Sequence, residues 1–167
     1  STLTAIGESK VLSVLVENEA GVLARISGMF SRRGYNIESI TVGSSEIEGL
    51  SRMIIVTDIN DVEQIQKHLH KLINTIKVTN LSDLDYVERD LALIKVSTKI
   101  NKSEIIEISN LFRCRIIDVA DDSLVIEAVG GSEKVNALIQ ILQSYGIKEV
   151  ARSGTIAISR GSSRVKN

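Results

Sequence analysis

At 167 residues the chain can form one ordinary domain or two small ones, and 43% hydrophobic with 25% charged residues is the composition of a soluble globular protein. No apolar run approaches the roughly 18 to 20 residues that a membrane span needs, so no membrane association is expected. A formal charge of -1 without a long basic block excludes a charge-driven grip on nucleic acid and leaves small molecules and proteins as partners.

Along the chain, Val11–Glu17 is a β-branched apolar run bounded by the polar Asn18-Glu19-Ala20-Gly21, which predicts a buried strand and a turn. Val22, Leu23, Ile26, Met29 and Phe30 follow at helical spacing up to Gly34. Ile37–Gly43 and Ser51–Thr57 read as an antiparallel pair of strands joined by a short polar connection. Asp61 is expected to cap a second helix with Val62, Ile65, Leu69, Leu72 and Ile73 on one face, before a fourth strand at Ile76–Leu81.

The charged stretch Asp83–Asp90 lacks an apolar period and is expected to be a linker. Beyond it the pattern restarts: a strand at Leu91–Thr98, a helix from Ser103 to Phe112, strands at Arg115–Ala120 and Ser123–Val129, a helix capped by Ser132, and a last extended segment at Ile147–Ile158. The order is βαββαβ twice. The fold expected is α+β, two ferredoxin-like domains at 1–83 and 84–167, each a sheet with helices on one face.

Such domains host many functions, so side chains must decide. Aromatic residues make up 3%, too few for stacking bases, and the single cysteine, Cys114, excludes an intrachain disulfide or a cysteine cluster and is expected in a core. His68 and His70 stand two apart on a helix, point to different faces and read as solvated, so no metal site is expected. An enzyme using this fold directly needs a cleft with paired acid and base groups, whereas the carboxylates are scattered over turns and helix surfaces. Small-molecule sensing remains. The N-terminus shows no charged region followed by an apolar stretch, so no secretory signal is expected.

The stretch Asn18 to Ile40, NEAGVLARISGMFSRRGYNIESI, resembles the first half of an ACT domain, the amino-acid-sensing ferredoxin-like module of metabolic enzymes. With Ser51-Arg52-Met53, the later LHKLI, and ARSG and SRG near the end, the chain resembles the small regulatory subunits of acetolactate synthase (acetohydroxyacid synthase) from about Val11 to Gly161. The resemblance implies a non-catalytic chain without a cofactor of its own. Its partner is a large catalytic subunit carrying thiamine diphosphate, magnesium and FAD, which it activates and makes sensitive to valine, leucine or isoleucine. It also implies a homodimer through the ACT domains, with the C-terminal domain serving activation and contact with the catalytic subunit. A stand-alone ACT sensor acting on another enzyme or on transcription is the alternative.

By this resemblance Asn18, Gly21 and Asn36 are the effector contacts, flanked by Val22, Leu23 and Ile37, with Asn36 of one copy facing a ligand held at the Gly21 of another. The chemistry agrees: a glycine before a helix N-terminus admits a carboxylate to unpaired N–H groups, and the two amides can bind both ends of a zwitterion. The residues taken singly are equally ordinary turn residues. Arg32 and Arg33 read as a solvated helix end. Arg152, Ser153, Gly154, Arg160 and Gly161 are candidates for contact with the catalytic subunit, or else a polar strand end and tail. The absence of proline and the many isoleucines, lysines and asparagines fit an AT-biased genome, and the location expected is cytoplasmic, or the plastid stroma in an alga.

Overall fold

The computed structural model describes residues 9–161. The N-terminus examined for a secretory signal and the tail after Gly161 lie outside them. Of the described residues, 9–87 with 155–161 form one compact unit and Glu88–Gly154 form another.

The first unit is β1 (Ser9–Glu17), α1 (Val22–Arg33), β2 (Ile37–Ser44), β3 (Leu50–Asp58), α2 (Val62–His70) and β4 (Thr75–Asn80). Its antiparallel sheet has the order β2-β3-β1-β4, the split βαβ arrangement in which each crossover skips one strand. Alternation along β1 turns Leu12, Val14 and Val16 onto the helices, where Ile26, Met29 and Phe30 of α1 and Ile65 and Leu69 of α2 complete the core. The second unit repeats the plan with β5 (Tyr86–Ser97), α3 (Lys102–Leu111), β6 (Arg115–Val119), β7 (Ser123–Gly130), α4 (Ser132–Leu142) and β8 (Ile147–Arg152). Its order is β6-β7-β5-β8, over a core of Ala92, Ile94, Val96, Leu124, Ile126 and Leu138. The α+β fold of two ferredoxin-like domains is the one expected.

Several local features differ from the expectation. No irregular linker separates the halves, because β5 begins at Tyr86 and passes straight into the second unit. Nor is 147–158 one strand. It breaks at Ser153–Thr155, where Gly154 takes φ 80°, and β9 (Ile156–Ser159) follows. Thr155 N–H donates to Ser39 Oγ at 3.2 Å, and Ala157 is buried with Val11, Ile54, Val56 and Leu81 on the sheet face opposite the helices. Residues 155–161 thus group with the first unit, β9 pairing with β5, and the division is not the simple one at 83/84.

The helix ends differ as well. Helix α2 stops at His70, and Leu72 N–H and Thr75 N–H close successive short turns that leave Ile73 85% exposed. Asp61 makes no cap hydrogen bond to α2. The residue before α4 is Gly131, while the Ser132 hydroxyl donates to Glu88. Helix α3 has the cap that sequence reading passed over, Asn101, whose Oδ1 accepts from Glu104 N–H at 3.1 Å.

Candidate functional site

Gly21 stands at the start of α1 with φ 87°, a left-handed conformation costly for residues with a Cβ. That geometry folds the β1–α1 loop tightly, with Val22 N–H reaching back to the Glu19 carbonyl at 3.3 Å. The first intrahelical bond is Arg25 N–H to the Gly21 carbonyl, so the N–H groups of Leu23 and Ala24 have no acceptor within the helix. Among the described residues no side chain caps this end, its first turn has no acidic residue, and the space beside the Gly21 Cα is open. An exposed helix N-terminus of this kind can hold a carboxylate on main-chain donors.

The loop is anchored from below by Asn74, a 7% exposed residue between α2 and β4. Its Oδ1 accepts from Arg25 at 2.7 Å, its amide nitrogen donates to Glu17 and Glu19 at 3.2 and 3.3 Å, and its carbonyl accepts from Glu17 N–H. Asn18 is exposed, its N–H donating to the Gly49 carbonyl. Val22 is buried in the core, whereas Leu23 is 47% exposed beside the open donors.

Asn36 lies at the other end of the sheet. Its N–H donates to Asp61 Oδ2 at 2.8 Å, and its carbonyl accepts from Asp58 N–H and the Thr57 hydroxyl. Ile37 pairs with Thr57 and rests half-buried on the core. The preceding Tyr35 is held through its hydroxyl by His68 Nδ1 at 2.6 Å, and that nitrogen also lies 2.8 Å from the Gln64 carbonyl. His68 is therefore a packed side chain and not the solvated one expected; only His70 is exposed.

One copy does not bring the asparagines together. Asn18 is beside Gly49, before β3, and Asn36 is beside Asp58, at its end. The 12 residues of α1 between them span about 18 Å, several times the length of an amino-acid headgroup. Asn18, Gly21, Val22 and Leu23 form one cluster in the chain, and Asn36 and Ile37 form a second.

The family described as the small subunit of acetolactate synthase matches residues 89–161, and the small subunit-like ACT domain of AHAS matches 12–77. An acetolactate synthase small subunit of Mycolicibacterium smegmatis is 51% identical over 90% of this chain and 90% of its own length. The Bacillus subtilis small subunit is 47% identical over 91% of each. The chain belongs to the acetolactate synthase small-subunit family. The crystal structure of the small subunit from Thermotoga maritima superimposes with a TM-score of 0.83 at 42% identity, covering 92% of this chain and 98% of that one.

The C-terminal motifs that carry the small-subunit resemblance have internal roles. Arg152 bonds Asp90, which is 3% exposed, through Nη2 at 2.6 Å and Nε at 2.9 Å, and also reaches Asn136 and the Ser132 carbonyl. Ser153 Oγ accepts from Leu91 N–H at 3.0 Å and donates to the Gly154 carbonyl. Arg160 closes β9 onto the chain through Asp85 and Tyr86, and Gly161 turns away with φ 48°. Of the residues that support the two clusters, Asn74 had no signal in the sequence, and Asp61 and His68 were assigned other roles, since each acts on a residue far away in the chain. Among the described residues no group of three His, Cys, Asp or Glu side chains could hold a metal ion, and no helix is long and apolar enough to cross a membrane.

Proposed function

We propose that this small subunit binds valine, or another branched-chain amino acid, between the ACT domains of two copies and passes the binding on as feedback inhibition of the catalytic large subunit. The carboxylate sits on the open N–H groups of Leu23 and Ala24 beside Gly21. Asn18 of one chain and Asn36 of the other hold the polar ends, and Leu23 and Ile37 meet the branched side chain. The observation that carries this reading is the separation along α1: each chain has half of the polar contacts at each end of the helix, so a second chain completes the site. A homodimer supplies both halves.

In the same reading the chain has no catalytic role. It activates a partner that carries thiamine diphosphate, magnesium and FAD, in the cytoplasm or, in an alga, in the plastid stroma. The second unit, together with residues 155–161 that group with the first, makes the contact. Arg152 and Ser153 act there by shaping the surface around Gly154, since their polar atoms are engaged internally, while Arg160 and Gly161 present exposed groups.

Calorimetric titration of the full chain with valine, leucine and isoleucine tests the proposal. Saturable heat with at least one of them, lost in Asn18→Ala and in Asn36→Ala alike, is expected. Retention of full affinity in either variant removes that residue from the site, and no heat with any of the three overturns the reading.

A further inference from the structure

Two motifs that the effector reading leaves unused, Ser51-Arg52-Met53 and Ser159-Arg160-Gly161, meet at one place. On the sheet face opposite the helices lies a cleft of about 680 Å³, floored by Ser13 and Leu15 of β1 and lined by Arg52 of β3, Lys77 and Thr79 of β4, and Ile158 and Ser159 of β9. Its volume is in the range of small-molecule sites. Leu15 pairs with Arg52 on one side and Lys77 on the other, so the two cations flank it with their Cα atoms about 10 Å apart, two strand spacings.

The cations are in different states. Arg52 is held in place by Glu46 at 3.0 and 3.2 Å and by Ser13 Oγ at 3.1 Å. Lys77 has no hydrogen-bond or ion-pair partner among the described residues. Ile47, Leu81 and Leu84 add apolar wall. Two cations against one carboxylate leave a single positive charge in excess, which suits a monoanion; a polyanion would be repelled by Glu46.

We infer that this cleft is a second ligand site, for a small monocarboxylate with a branched apolar body, in which Lys77 receives the carboxylate, Arg52 and Ser13 form a fixed polar floor, and Leu15, Leu81 and Ile158 receive the hydrocarbon. Unlike the effector site, it has no pair of amides to demand an ammonium group. An anion without nitrogen therefore separates the two sites.

The probe is 4-methylpentanoate, titrated into the full-length ¹⁵N-labelled protein, with 4-methylpentan-1-ol as the uncharged control. Saturable shifts at the amides of Ser13, Lys77 and Thr79 are expected. Loss of one charge-assisted contact weakens binding at least about tenfold, so Lys77→Gln and the alcohol should each show that drop. Lys77 is exposed, and its substitution leaves both cores untouched. Shifts confined to Leu23–Arg25, no shifts at all, or equal affinity in Lys77→Gln would overturn the inference.

Discussion

Asp61 Oδ2 accepts the backbone N–H of Asn36 at 2.8 Å, so the residue just before α2 holds the start of β2 in place of capping the helix that follows it. Asp58 and Thr57 bind the Asn36 carbonyl from the strand beside it. The Asn36 main chain is thereby fixed on both sides while its side chain stays exposed. Fixing the backbone lowers the ordering cost of any contact the amide makes with a ligand.

Asp61→Ala should therefore weaken effector binding more than it weakens the fold. One charge-assisted hydrogen bond at a partly exposed position is worth about 1 kcal/mol of stability. Because Asp61 makes no cap bond, α2 itself should keep its helicity. Denaturant unfolding and calorimetry on the same variant check both halves. Unchanged effector affinity with reduced stability would show that the contact is structural only.

The Cys114 thiol is pushed above its ordinary pKa by burial, a shift that Lys134 partly offsets. A raised pKa means less thiolate at neutral pH, and thiolate is the nucleophile. Cys114 should react with iodoacetamide more slowly than a small thiol such as glutathione at pH 7, and its rate should keep rising above pH 9. Mass spectrometry of the alkylated chain against time and pH measures this. A rate at pH 7 equal to that of the small thiol would contradict the burial.

How far the fold is legible in the residues depends on the range of the forces that shape each part. The two βαββαβ units follow from local apolar periodicity, because each strand and helix buries one face and the pattern repeats within a dozen residues. Ile73 was misplaced on α2 since the helix ends through turns at Leu69–Thr75, a detail that periodicity does not carry. The grouping of β9 with the first unit was invisible for another reason: the strand pairs with β5, and its four residues do not say which sheet face the buried Ala157 covers. For the candidate site, the Gly21 loop is a local feature and was readable. Asn74, 57 residues from Glu17 and 49 from Arg25, lies too far along the chain for any local motif to reveal and was not.

A fragment ending at Asp83 contains every strand of the first sheet yet lacks Leu84, Tyr86 and Ala157, which cover Val11, Ile54, Val56 and Leu81. An apolar face opened to water favours self-association. The fragment should bind a hydrophobic dye and unfold at lower denaturant than the same unit in the full chain. Dye fluorescence and urea titration test this. A dye-silent fragment of undiminished stability would mean that β9 contributes nothing to the unit.

Arg152→Ala should cost about 2 to 3 kcal/mol of stability, below the roughly 3 to 5 expected for breaking a fully buried pair. The Arg152 side chain is 29% exposed, and Asp90 retains other interactions. Arg152→Ala with Asp90→Asn should recover part of the loss, since no charge is then left behind in the interior. Urea unfolding of the parent chain, Arg152→Ala, Asp90→Asn and the double variant gives the coupling. Activation of a catalytic subunit by Arg152→Ala is interpretable only alongside this measurement, because a weakened second unit alone could reduce it.

Gly21→Asp should abolish feedback inhibition while leaving activation of the catalytic subunit largely intact. Steric exclusion of the backbone is not the cause, because a Cβ added at Gly21 meets nothing within 4 Å. Two effects remain, strain and charge. The left-handed φ of 87° costs roughly 1 to 2 kcal/mol for a residue with a Cβ, less for Asn or Asp. The carboxylate, by contrast, settles on the same open N–H groups that the effector needs and repels the effector's own carboxylate. Gly21→Asn separates the terms: it carries the same shape and tolerates the same backbone, but it has no charge. Losing a charge-assisted contact at roughly 1.5 to 3 kcal/mol corresponds to more than tenfold in affinity, so Gly21→Asp should lose inhibition and Gly21→Asn should keep much of it. Inhibition follows affinity because an effector shifts an equilibrium only through its differential binding. The assay is acetolactate formation by the reconstituted holoenzyme with and without valine, leucine and isoleucine, with circular dichroism as the folding control. Equal loss in both variants would assign the effect to strain in the loop, and undiminished inhibition in Gly21→Asp would remove the loop from the site.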